Sequence, residues 1–171
     1  MKYTYQSSEK FLSMVQREYE SEKERAAALD SKIALSLPVI SAYFFLLAQD
    51  TRIRELWPFV MEAGYSVASV RQFLSLLLYV IAILTAFFSL FLMIHATWTR
   101  NFKELDIMRS NNAVFMSMSP ELFSARVVTD YVRQVERNRK ANGIRSKEYR
   151  TGWIFGLVSL SCFLLYQVIA Q

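Results

Sequence analysis

Residues 72–98 read QFLSLLLYVIAILTAFFSLFLMIHATW, twenty-seven positions with no Asp, Glu, Lys or Arg and one histidine, His95. A run of about 18 or more such residues is a membrane-span signal, because in lipid a segment must satisfy its own backbone donors and acceptors, as a helix does. At about 1.5 Å per residue the stretch reaches about 40 Å, so it is expected to tilt or to project beyond a hydrocarbon core of roughly 30 Å. Within it, Ala82, Ala86 and Ser89 make a small-residue seam at helical spacing. Thr85 and Ser89 add hydroxyls that either line water or, more commonly in such helices, bond to their own backbone or to a neighbouring helix.

Two further apolar stretches flank this one. Residues 32–49 form a first span whose uncharged part, Ile33 to Gln49, is seventeen residues, or about 26 Å. Lys32 is placed to snorkel to the boundary, and Pro38 should kink the helix or free a carbonyl for Ser36, Ser41 or a neighbour. Residues 151–171 form a third span opening with Gly152 and Gly156, a GxxxG pair continued by Ser159 that allows close helix approach. The fold class is therefore an all-α integral membrane protein with three transmembrane helices. A positive mean hydropathy and 53% hydrophobic residues gathered in blocks agree with this.

The remaining segments are polar. Residues 1–31 read as a cytosolic N-terminal helix running from Ser7, with Ser8 as N-cap, Phe11, Met14, Val15 and Tyr19 on one stripe, and alternating charge beyond. No signal-peptide pattern precedes the first span, which is expected to stay attached. Residues 50–71 form a short neutral external loop in which Trp57 to Met61 suit an interfacial anchor. Residues 99–150 form a basic helical connector. Asn101 to Arg109 extends the second span as a short amphipathic helix, with Asn111 and Asn112 at its end. Ser119, Pro120 and Glu121 start the next helix, and Asn142 with Gly143 end it.

Between Trp98 and Arg150 stand eleven basic and six acidic residues, a surplus equal to the net +5 of the whole chain. The surplus is densest at residues 137–150, RNRKANGIRSKEYR. Such a cluster either marks the cytoplasmic side and touches lipid head groups, or holds a phosphate-bearing ligand. In the second reading the phosphates pair with Arg133, Arg137, Arg139, Lys140, Arg145 and Lys147, while Tyr131 or Tyr149 stacks on a base. Repetition of Arg126, Arg133, Arg137 and Lys140 around a symmetry axis would strengthen the field. The positive-inside rule then puts the N-terminus and connector in the cytoplasm and the C-terminus in the periplasm.

Several chemistries are disfavoured. One cysteine, Cys162, and one histidine leave no intrachain disulfide and no Cys/His metal centre. No Walker loop, GxSxG, HExxH or Rossmann glycine pattern is present, and the spans lack the acids and amines that an intramembrane enzyme needs. The chain is expected not to be an enzyme and to need no cofactor.

The passage from Glu24 to Leu35, ERAAALDSKIAL, carries a charged helix through an LDxK step into the first span. In this it resembles bacterial membrane effectors of anti-phage defence, the SLATT-type and cyclic-nucleotide-controlled families. In layout it is most similar to the membrane effector of the Hailong system. The resemblance implies a homotetrameric, ion-channel-like effector of the bacterial inner membrane. It implies control by an oligodeoxyadenylate that a partner nucleotidyltransferase makes, with toxicity on release. The third span and the lack of a separate soluble sensor domain depart from the simplest two-span members. The competing expectation is a non-conducting membrane adaptor whose cytosolic helices dock a soluble enzyme.

Overall fold

The computed structural model describes residues 5–50, 67–98 and 119–170. Every element in them is a helix: α1 is Tyr5–Ala48, α2 is Val67–Trp98 and α3 is Pro120–Ile169. All three are long and apolar enough to cross a membrane, so the chain is an all-α protein with three candidate spans. The interfacial anchor at Trp57 to Met61, the helix at Asn101 to Arg109 and the turn at Asn111 and Asn112 lie outside the described residues.

Three boundaries differ from those expected. First, α1 begins at Tyr5, so Ser8 lies inside the helix rather than capping it. Second, α2 begins at Val67, so residues 67–71 belong to the helix and not to the loop before it. The third difference is the largest: Asn142 and Gly143 do not end a helix, because α3 runs unbroken for 50 residues. Gly143 has no positive φ, and a Cβ built on it would meet nothing within 4 Å. The end signal fails for a physical reason. The Asn142 amide is drawn to a tertiary partner, and one helical glycine costs only about 1 kcal/mol. The expected start does hold, since α3 opens at Pro120 with the Phe123 N–H on the Ser119 carbonyl at 3.0 Å.

The chain divides into two units, residues 1–31 with 99–146 and residues 32–98 with 147–171. In the first unit the described parts of α1 and α3 run parallel. Their seam buries Val15, Ala26 and Leu29 against Val135, together with Glu22, Asn138, Asn142 and Arg145. Phe11 and Met14, the front of the N-terminal stripe, are exposed. The buried positions Val15, Glu22 and Leu29 recur every seven residues, and so do Asn138 and Arg145. That is the spacing of a two-helix seam of coiled-coil type.

In the second unit α1 and α3 are again parallel, and α2 is antiparallel to both. The seven-residue rhythm continues: Ile33, Ile40 and Leu47 on α1; Ser75, Ala82, Ser89 and Ala96 on α2; Gly152, Ser159 and Tyr166 on α3. Most of the α2 and α3 seam residues are small or carry a hydroxyl, because lipid tails are as apolar as leucine and helices gain by close contact and shared hydrogen bonds. Gly152 is tight enough that a Cβ would lie 3.2 Å from Met93 Cγ and 3.3 Å from the Ser89 carbonyl oxygen. A Cβ on Gly156 would lie 3.2 Å from Ser89 Oγ. Pro38 sits inside α1 without ending it. The Ser36 hydroxyl does not serve the carbonyl that Pro38 frees; it bonds the Lys32 carbonyl at 2.7 Å and the Tyr149 hydroxyl at 3.0 Å.

Candidate anion-binding face

In the first unit, α3 sorts its cations by the helical face on which they fall. Those toward α1 are committed. Arg145 is 1% exposed and its guanidinium pairs with the Asp30 carboxylate. Arg139 donates to Glu18 Oε2 at 2.6 Å and to Glu22 Oε1 at 3.3 Å. Glu22, itself 6% exposed, also accepts from Asn142 Nδ2, which bonds both the Glu22 carbonyl and Oε2 at 3.0 Å. A carboxylate taken out of water needs this many donors to offset its lost hydration. The knot therefore serves the α1–α3 seam. Arg145 and Arg139, both expected to hold a ligand, are withdrawn from that set: the first is sealed from solvent and the second is neutralised by two acids.

On the opposite face Arg133, Arg137 and Lys140 are exposed, and none has an acid partner among the described residues. Their spacing, i, i+4 and i+7, puts three positive heads on one side of about two turns. Arg126, one heptad before Arg133, shares the face but lies 3.8 Å from Asp130 in an exposed i, i+4 pair of little strength. Lys147, the last expected ligand residue, is exposed and belongs to the second unit.

Neither expected aromatic platform is open. Tyr131 meets Tyr19 edge to face, with ring centroids 5.7 Å apart, and the Tyr149 hydroxyl is held by Ser36. Among the described residues this face presents charge, with both tyrosines engaged elsewhere.

The expected packing residues lie on the second unit's seam. Ala82 and Ala86 are fully buried. Ser89 Oγ donates to the Gly152 carbonyl at 2.7 Å, and Ser159 Oγ to the Ala82 carbonyl at 2.6 Å. Thr85 Oγ1 turns back to the Ile81 carbonyl at 2.7 Å. Tyr43 reaches Ser159 at 3.1 Å, and the Tyr79 hydroxyl donates to the Leu47 carbonyl. Apart from that of Thr85, these hydroxyls stitch α1, α2 and α3 together. His95 places Nδ1 3.0 Å from Glu148 Oε1. Arg71 Nε donates to the Ile169 carbonyl at 2.7 Å, covering the C-terminal end of α3. Glu148 and Glu22 were not singled out from the sequence, and Asp30 only as part of the LDxK step, although counting sevens along α1 would have put Glu22 on the seam.

Fold and site together define a membrane protein of three long helices, one of which carries three exposed cations with no acid partner among the described residues. Comparisons with protein-family models, with curated proteins and with solved structures return no match.

Proposed function

We propose that this chain is an oligomeric membrane effector of bacterial defence, forming or gating an ion-conducting path under the control of an anionic nucleotide or oligonucleotide. The ligand face is Arg133, Arg137 and Lys140. The observation that carries the reading is that these three exposed cations have no acid partner among the described residues, while the same helix continues as the third span. A ligand that binds one conformation of α3 better than another shifts the membrane part by its differential affinity. Because the seam hydroxyls are spent on helix–helix bonds, the path is assigned to the contact between copies. A homotetramer and oligodeoxyadenylate, from a partner nucleotidyltransferase, are the first assembly and ligand to try. The site is the bacterial inner membrane, with the N-terminus cytoplasmic and the C-terminus periplasmic. No enzymatic role is proposed.

Ion flux from liposomes carrying the purified protein tests this. The expected result is a flux that oligodeoxyadenylate changes in the wild type and not in R133E/R137E/K140E. No flux in any condition would sink the conducting role. The second reading, a non-conducting adaptor, is favoured by Phe11, Met14, Leu122 and Phe123, which the first unit leaves exposed and which suit a protein partner. It expects unchanged membrane potential and a partner lost on charge reversal.

A further inference from the structure

The cations of α3 are two sets with different surroundings. Beyond the soluble-anion face, Lys147 and Arg150 belong to the second unit, the one with the spans. Both are exposed, and neither has an acid partner among the described residues. The nearest acid in sequence, Glu148, is turned to His95. The only other acid described in this unit, Asp50, bonds Gln167 at 3.3 Å near the far end of α3.

Past these two cations, their side of the helix is apolar but for Ser161, whose hydroxyl turns back to the Leu157 carbonyl at 2.9 Å. Ile154, Leu157 and Leu164 are exposed large side chains, at i+7, i+10 and i+17 from Lys147, and no charged residue comes after Arg150. Lys147 and Arg150 are one turn apart, so their heads are neighbours. From Ile154 to Leu164 the helix rises about 15 Å, the depth of one leaflet's hydrocarbon.

The other helices reach the same level. In this unit α1 is parallel to α3 and α2 antiparallel, so Lys32 of α1 and Trp98 of α2 stand at the end where Lys147 and Arg150 stand. Lys32 is exposed, and Trp98 is the most exposed large apolar side chain described. A tryptophan beside lysine and arginine, over an apolar band, is the pattern of the head-group level.

We propose that Lys147 and Arg150 form a site for the phosphate of an anionic phospholipid, whose acyl chain lies along Ile154, Leu157 and Leu164. The alternative occupant of two adjacent cations, a free phosphate compound, uses only the head of this site. The apolar stripe directly beneath it is what selects a lipid. The site does not depend on nucleotide binding at Arg133, Arg137 and Lys140.

Native mass spectrometry of the full chain, purified in detergent with equal phosphatidylglycerol and phosphatidylcholine, tests the proposal. The wild type should retain phosphatidylglycerol about thirtyfold over phosphatidylcholine, the ratio that two basic residues give at about 1 kcal/mol each near an anionic surface. The K147Q/R150Q variant should lose the preference. K147R/R150K and R133Q/R137Q/K140Q should keep it, and millimolar glycerol phosphate should not compete. Equal retention of both lipids by the wild type, a preference unchanged in K147Q/R150Q, loss in K147R/R150K or in R133Q/R137Q/K140Q, or displacement by glycerol phosphate would each overturn the site. A lipid preference without any oligonucleotide binding would leave the site standing and remove the nucleotide reading instead.

Discussion

Gly143 and Gly152 lie on the same helix nine residues apart, and alanine at each should have opposite effects. In both places the substitution gains roughly 1 kcal/mol from helix propensity and reduced unfolded-state freedom. At Gly143 nothing opposes the gain: the added Cβ meets no atom within 4 Å and the backbone is not left-handed. At Gly152 the Cβ arrives 3.2 Å from Met93 Cγ and 3.3 Å from the Ser89 carbonyl oxygen. Met93 can swing aside, but the Ser89 carbonyl is helix backbone and moves only with α2. Overpacking of this kind costs about 1–3 kcal/mol. Set against the propensity gain, G152A should be destabilised by about 1 kcal/mol, and the two variants should differ by about 2 kcal/mol. Thermal unfolding followed by circular dichroism in one detergent would show G143A melting above the wild type and G152A below it. A G152A midpoint equal to that of G143A would refute the close α2–α3 contact. A drop for G143A would refute the uninterrupted helix at that point.

Other perturbations separate the roles assigned above. Removing the Ser89 hydroxyl in S89A should lower stability by only about 0.6 kcal/mol, the usual worth of one interhelical hydrogen bond in a membrane protein; the same melting experiment measures it. E22A should cost about 3 kcal/mol, because it removes the shared acceptor of Arg139 and Asn142 from a buried seam. E18A, at a half-exposed position, should cost under about 1 kcal/mol; proteolysis of the first unit would rank the pair. Oligonucleotide affinity should fall with salt, and R133Q/R137Q/K140Q should flatten the log–log slope by about 2, at about 0.7 for each lost single-strand phosphate contact; fluorescence anisotropy reads it.

The three spans could be read from the sequence because lipid imposes a coarse rule on length and charge, which residues 33–49, 72–98 and 151–171 obey. The helix start at Ser119 and Pro120 was equally legible, since capping is local. The continuity of α3 through Asn142 and Gly143 was not, because local end signals lost to a partner, Glu22, more than a hundred residues away in sequence. The cation set shows the same limit. Arg139 and Arg145 look like Arg133 and Lys140 in a list of charges, and only the helix face that meets α1 distinguishes an ion pair from an open site. Had the sevens in Val15, Glu22 and Leu29 been extended across Asn138 and Arg145, the buried polar seam would have been visible beforehand.

The most direct test of the cationic face is a titration of labelled oligodeoxyadenylate into the full chain in nanodiscs of neutral lipid, which keeps lipid charge out of the result. Saturable binding that weakens with salt in the wild type and disappears in R133E/R137E/K140E is the expected result. Absence of binding in the wild type, or equal binding by the charge-reversed variant, would contradict it.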